Sequence, residues 1–247
     1  MLSMTKSMAL LPKLVRRIAS VFRRLQHSIL VRTKRSGWVA HHGLQRNGTN
    51  FLLLSLKKLK INVINEVDPT RCDPRHKHFR WYADKSVIPY FIAEQYGNCI
   101  SADTIFDLNR ICGYPRDTKH IVIRKKKSSA VVSLANWGLR TGWFSDKQNA
   151  VENFPLLVRD YNEYYGFWQQ LGASCPSWVK VIDFEDLRDG REHFMNALHE
   201  MGYKISDNHV AFEFGTVPQS PPGRAKVISE LDYIEYLRSG GLEHHEP

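Results

Sequence analysis

Residues 38–67 constrain the fold more than any other part of the chain. Trp38 to Leu44 is a short, mostly apolar run that reads as a buried strand. Gly43-Leu-Gln-Arg-Asn-Gly48-Thr49-Asn50 follows as a turn with two glycines. Phe51 to Leu59 places leucines on several sides, the pattern of a buried helix, and Ile61 to Val67 alternates like a strand. Strand, glycine loop, helix and strand within about 30 residues form a βαβ unit. Its strands must be parallel, and parallel sheets need helices on their faces.

The rest of the sequence continues the alternation. Ser86 to Tyr96 and Ser101 to Cys112 read as helices, Lys119 to Arg124 (KHIVIR) as a second buried strand, and Ser128 to Trp137 as a helix. Asp146 to Leu171 is a long aromatic helix, Trp178 to Asp183 (WVKVID) a strand, and Asp189 to Met201 a helix ended by Gly202. Residues 215–226 are a Pro/Gly loop, and Ser229 to Arg238 is a last helix. The expectation is an α/β fold with a central, mostly parallel sheet flanked by helices.

Charge divides the 247 residues unevenly. The whole chain carries 35 Lys+Arg against 25 Asp+Glu, yet the first carboxylate is Glu66. The 13 basic residues before it leave 22 against 25 for the remainder, a net of −3. Basicity is thus an N-terminal property, and no nucleic-acid partner is expected. Residues 1–36 read as a basic amphipathic arm and 37–247 as the α/β domain. In the arm, Leu11, Leu14, Val15, Ile18, Val21, Phe22, Leu25 and Ile29 recur at helical spacing, with Arg16, Arg17, Arg23 and Arg24 between them. Such a helix suits an anionic membrane surface; packing on the domain, an unstructured tail and a transit peptide are the other readings. The early apolar stretch from Met8 to Leu11 is cut by Pro12 and Lys13, too short for a secretory signal or a membrane span. A cytoplasmic or peripheral membrane location is favoured. Cys72, Cys99, Cys112 and Cys175 form no CxxC pair and fit no zinc module, so free thiols and no metal are expected.

The loop after the first strand presents backbone N–H groups and the positive end of a helix dipole, an anion site. A nucleoside-triphosphate loop would read G-x-x-x-x-G-K-[ST], its Lys and hydroxyl serving phosphate and Mg²⁺. Thr49 and Asn50 occupy those two slots, which disfavours an ordinary kinase; Arg46 supplies a cation inside the loop. Asn47-Gly48-Thr49 also fits the N-glycosylation pattern, discounted because it lies tight against the helix start.

GLQRNGTNFL resembles the 5′-phosphosulfate loop of sulfotransferases that use 3′-phosphoadenosine 5′-phosphosulfate (PAPS), typically Pro-Lys-Ser-Gly-Thr-Thr followed by an aromatic residue or Leu. Gln45 takes the Pro place, Arg46 the Lys place and Asn47 the Ser place; Gly48 and Thr49 match, Asn50 replaces the second Thr, and Phe51 takes the aromatic place. A strand ending in Arg124, then Ser133 nine residues on, resembles the family's 3′-phosphate element; Lys125 has the usual spacing of eight, so either cation fits. KVIDFEDLRDGREHFMNALHEMGY resembles a structural strand–helix element of the family, and Gly223-Arg224-Ala225-Lys226 a remote version of its late basic loop.

The resemblance implies a three-layer P-loop-like α/β fold and sulfuryl transfer from PAPS to an acceptor hydroxyl or amine, with adenosine 3′,5′-bisphosphate as product and no metal. It implies that Arg46, Asn47, Gly48, Thr49, Asn50, Arg124, Lys125 and Ser133 hold the cofactor. For the general base it points to Glu66, with His76 or His78 as alternatives. The acceptor class is a small molecule or glycan, carbohydrate being favoured from the Glu-type base and from the basic, aromatic loop His76 to Tyr82. The aromatics of 161–168 read as core, and His41 and His42 as structural or pocket-lining. The alternatives are a kinase with a degenerate loop, for which Asp183 is the one Mg²⁺ candidate, and a non-enzymatic basic module.

Overall fold

The computed structural model describes residues 37–82, 85–96, 102–205 and 227–240, together with positions 21, 22, 25 and 29. The chain divides into two units, Met1–Ser36 and Gly37–Pro247. In the first, Val21, Phe22, Leu25 and Ile29 are helical and exposed.

The second unit is an α/β domain. Its strands are β1 (Trp38–His42), β2 (Asn62–Val63), β3 (Lys119–Arg124) and β4 (Val179–Asp183). They form one parallel sheet in the order β2-β1-β3-β4. The helices are α1 (Thr49–Lys58), α2 (Tyr90–Tyr96), α3 (Ile105–Cys112), α4 (Lys127–Thr141), α5 (Lys147–Glu152), α6 (Phe154–Ser174), α7 (Phe184–Asp189), α8 (Arg191–Glu200) and α9 (Glu230–Arg238). Period-two alternation in β3 sends successive side chains to opposite cores. Ile121 and Ile123 pack with Leu52 and Leu56 of α1 and Phe194 and Leu198 of α8. Val122 packs with Leu108 of α3 and Tyr164, Tyr165 and Trp168 of α6. Helices on both faces of the sheet make the layered α/β architecture expected from the sequence.

Several boundaries differ from the sequence reading. The strand expected over Ile61 to Val67 pairs only at Asn62 and Val63. Beyond them Asn65 turns its carboxamide onto the β1 edge, accepting from the His41 amide at 2.9 Å and donating to its carbonyl at 2.8 Å. Those bonds occupy the groups a longer ladder would have used. The helix expected over Asp146 to Leu171 is two helices meeting at Asn153, with Pro155 in the first turn of the second, where its missing N–H costs nothing. Pro89 divides Ser86 to Tyr96 into a 3₁₀ turn (Lys85–Val87) and α2. Gly190 likewise separates α7 from α8. The 215–226 loop, with Gly223 to Lys226, lies outside the described residues.

Candidate functional site

β1 ends at His42, and the chain leaves the sheet at Gly43. A Cβ at Gly43 would sit 2.7 Å from the Ile123 carbonyl of β3, so only glycine lets the strands stay this close at the exit. The loop then folds on itself, the Asn47 amide donating to the Leu44 carbonyl at 3.2 Å. Arg46 adopts a left-handed conformation (φ 66°), which costs a non-glycine residue about 1–2 kcal/mol. Gly48, at φ 92°, opens α1; a Cβ there would meet the Phe184 ring at 2.4 Å. Phe184, from the segment after β4, is therefore the floor of the loop.

Asn47 is the internal brace. It is buried, its Nδ2 donates to the Gln45 carbonyl at 3.0 Å, and its Oδ1 accepts the Lys125 amide at 3.1 Å. This ties the loop to the end of β3. Two α6 tyrosines add to the tie. The Tyr165 hydroxyl donates to the Ile123 carbonyl and accepts from the Leu44 amide, and the Tyr161 hydroxyl donates to the Lys125 carbonyl at 2.6 Å. The aromatics of 161–168 are thus core residues, but their polar ends hold the loop.

No side chain caps α1, and its first turn holds no acidic residue. The backbone N–H groups that start any helix have no partner inside it, so this end is free to receive an anion. Thr49 is the buried first residue, and Asn50, exposed, accepts a bond from Lys77 Nζ at 3.1 Å. Lys77 also pairs with Asp68 at 2.6 Å, and its carbonyl accepts the Gly43 amide. Lys77 belongs to the basic, aromatic loop His76 to Tyr82 that the sequence offers to an acceptor, and the structure sets it against Asn50 in the first turn of α1 instead.

Arg46 lies over the Trp137 ring of α4, 5.4 Å from the centroid, and Arg140 lies at the same distance from that ring. Burial, and secondarily Arg140, holds the Arg46 guanidinium below its usual pKa. Lys125 places its Nζ 4.8 Å from the Phe184 centroid. Arg124, one residue earlier, is engaged elsewhere: Nε and Nη2 grip the Asp183 carboxylate at 2.8 and 3.2 Å, which raises the Arg124 pKa. Asp183, the only Mg²⁺ candidate in the sequence, is that partner. Ser133 is half-buried in α4, with no hydrogen bond from its hydroxyl among the described residues.

The candidate bases fall in different places. Glu66 forms an ion pair with Lys57, in the last turn of α1. Lys57 is about two turns, roughly 12 Å along the axis, beyond Thr49. His78 lies beside the loop, its Nδ1 2.6 Å from the Gly43 carbonyl. A carbonyl only accepts, so Nδ1 carries the proton and Nε2 keeps its lone pair. Nε2 makes no hydrogen bond among the described residues. Burial pushes the His78 pKa well below 6.5, with Lys77 and His76 acting the same way against the Gly43 bond. His76 is buried, accepts the His78 amide at Nδ1, and is lowered by burial to about 4.

Two expectations about the surrounding surface change. Arg80, Trp81 and Tyr82 are buried, so they form no acceptor-gripping surface. Arg80 instead pairs with Asp160 at full burial, and Tyr82 donates to the same carboxylate at 2.7 Å. His42 and His120 stack behind the loop, Nε2 to Nδ1 at 2.9 Å, and His120 Nε2 reaches Asn109 Oδ1 at 2.8 Å. Asn109 spends its amide N–H groups on two carbonyls, so its oxygen accepts from His120 Nε2, and burial pushes the pKa of both imidazoles down.

The structure therefore gathers Arg46, Asn47, Gly48, Thr49, Asn50, Lys125 and His78 along one glycine loop, adds Lys77, and leaves Glu66 and the Arg124 guanidinium in other pairs. Among the described residues, no group of three or more His, Cys, Asp or Glu side chains is arranged to hold a metal ion. No protein-family model matches the chain, and no curated protein matches it. Among solved structures, the chain is similar to a sulfotransferase from Alicyclobacillus acidocaldarius, with a TM-score of 0.40 and 14% identity over 84% of this chain and 92% of that chain.

Proposed function

We propose that the domain is a PAPS-dependent sulfotransferase. The observation that carries this reading is the set of cations, Arg46, Lys77 and Lys125, around an acid-free, uncapped helix N-terminus entered through a glycine loop. That set suits a ligand with several anionic groups, and it lacks the lysine and hydroxyl by which a triphosphate loop holds ATP and Mg²⁺.

The cradle fits the phosphosulfate. The amides of Gly48 to Phe51 would receive it, and a side chain at position 48 would collide with Phe184. Lys125, with Arg124 if Asp183 releases it, and Ser133 would hold the 3′-phosphate. When bound, PAPS supplies the sulfuryl group and a phosphate leaving group. Arg46 and Lys77 would neutralise charge growing on the leaving oxygen. Arg46 cannot give up a proton in practice, whereas an ammonium can, so Lys77 Nζ is the proton donor of the pair. His78 Nε2, with its lone pair free, takes the proton of the acceptor hydroxyl or amine. We place this role on His78 ahead of Glu66, whose carboxylate is occupied by Lys57. The acceptor is a hydroxyl or amine; the two grounds for a carbohydrate, a glutamate base and an open basic aromatic loop, fall with the Lys57–Glu66 pair and the burial of Arg80, Trp81 and Tyr82.

Thermal unfolding in the presence of adenosine 3′,5′-bisphosphate tests the reading. Ligand at a hundredfold its dissociation constant adds about 2.7 kcal/mol, or roughly 5–10 °C in a domain of this size. A response to ATP–Mg²⁺ with none to the bisphosphate would overturn it in favour of a phosphoryl-transfer site.

A further inference from the structure

The sulfotransferase reading makes no use of the first unit. Val21, Phe22 and Leu25 are 65%, 59% and 56% exposed, and Ile29 is 54% exposed, all at helical positions. At about 100° per residue these four fall within an arc of roughly 100°. Leu11, Leu14, Val15 and Ile18 lie outside the described residues but recur in the sequence at the same helical spacing. By sequence spacing alone, Arg16, Arg17, Arg23 and Arg24, which also lie outside the described residues, alternate with that apolar set on the other side of a helical repeat. Residues 1–36 contain nine basic residues and no carboxylate.

We propose that this stripe docks in the headgroup region of an anionic lipid bilayer. Large apolar side chains in a continuous stripe are not left in water without a partner surface. The opposite face selects among partners. A second copy of the arm would bring nine cations against nine, a repulsive pairing. A nucleic acid would satisfy the arginines but leave Phe22 and Leu25 in water. An anionic bilayer satisfies both faces: the stripe enters the acyl boundary, and the guanidinium groups stay among phosphates and carboxylates. The stripe is on the arm alone, so docking is independent of the chemistry assigned to the glycine loop.

The test is co-sedimentation of the full chain with phosphatidylcholine vesicles and with vesicles that also contain phosphatidylserine. Binding to the mixed vesicles is expected, with weak or no binding to the neutral ones. Each of Arg16, Arg17, Arg23 and Arg24 changed to Ala should weaken binding about fivefold. Raising salt from about 0.1 M to about 1 M should weaken it further. The Phe22→Glu, Leu25→Glu double variant should stay in the supernatant with an unchanged thermal midpoint and an unchanged particle size. Three results would each overturn the proposal. The full chain fails to pellet with the anionic vesicles; the double variant pellets as the parent does; or the double variant lowers the midpoint or alters the particle size, which would mean that the domain or a second copy covers the stripe.

Discussion

The Arg80–Asp160 pair should be the most stability-sensitive polar contact behind the glycine loop. Both side chains are fully buried. Arg80 Nε and Nη2 donate to the two Asp160 oxygens at 2.9 and 2.8 Å, and Nη1 donates to the His78 carbonyl at 2.9 Å. Asp160→Ala removes the counter-ion and the acceptor of the Tyr82 hydroxyl together. Breaking one side of such a pair costs about 3–5 kcal/mol, because the remaining charge stays buried. Loss of the Tyr82 hydrogen bond to Asp160 adds about 1 kcal/mol. At about 2–4 °C per kcal/mol, the thermal midpoint should fall by roughly 8–24 °C. Urea unfolding, followed by tryptophan fluorescence, measures the free energy directly. Replacing both partners, as Arg80→Met with Asp160→Leu, should recover much of the loss, since no charge is then left buried. The recovered protein should still respond poorly to anionic ligand, because Arg80 also supports the His78 carbonyl and, through Nη2 at 3.4 Å, Gln45 in the loop. A loss under about 1 kcal/mol for Asp160→Ala would equal that of a surface pair and refute the reasoning.

Three further outcomes follow from the geometry. Gly48→Ala should cost about 1–3 kcal/mol, since its Cβ meets Phe184 at 2.4 Å in a left-handed conformation, and should abolish the thermal response to adenosine 3′,5′-bisphosphate; a retained response would detach the loop from the ligand. His41 and His76 are held down to about 4 and His120 to about 3, chiefly by burial, against 6.5 when unfolded. Their contribution to stability is therefore present above about pH 6.5 and is lost as pH falls towards 4, on the order of 2 kcal/mol per histidine at about pH 5. Equal thermal midpoints at about pH 7 and pH 5 would contradict this sign. Asp183→Asn should free Arg124 and tighten adenosine 3′,5′-bisphosphate by up to about fivefold, leaving adenosine 5′-phosphate unchanged. Calorimetric titration of both ligands reads the difference, and equal changes would remove Arg124 from the 3′-phosphate.

What was legible in the sequence is local, and what was not depends on pairing across the fold. KHIVIR declared its strand because a strand buried on both faces needs an unbroken apolar run, and β3 has the predicted bounds. The glycine loop was legible for a similar reason: close approach at Gly43 and Gly48 admits no other residue. The end of β2 was not, since Asn65 stops the ladder through bonds to His41 that alternation cannot encode. The candidate base was harder still. Glu66 stood out because it ends a stretch of pure positive charge, yet that same stretch supplies Lys57, the cation that takes it. Arg124 stood out as a cation at a strand end, and β4, parallel to it in register, brings Asp183 to the same level. Near a site this basic, each carboxylate finds a lysine or arginine first. Anion affinity here is therefore a difference between two sets of ion pairs. Its value is set by Asp68 and Asp183 as much as by the cations they hold.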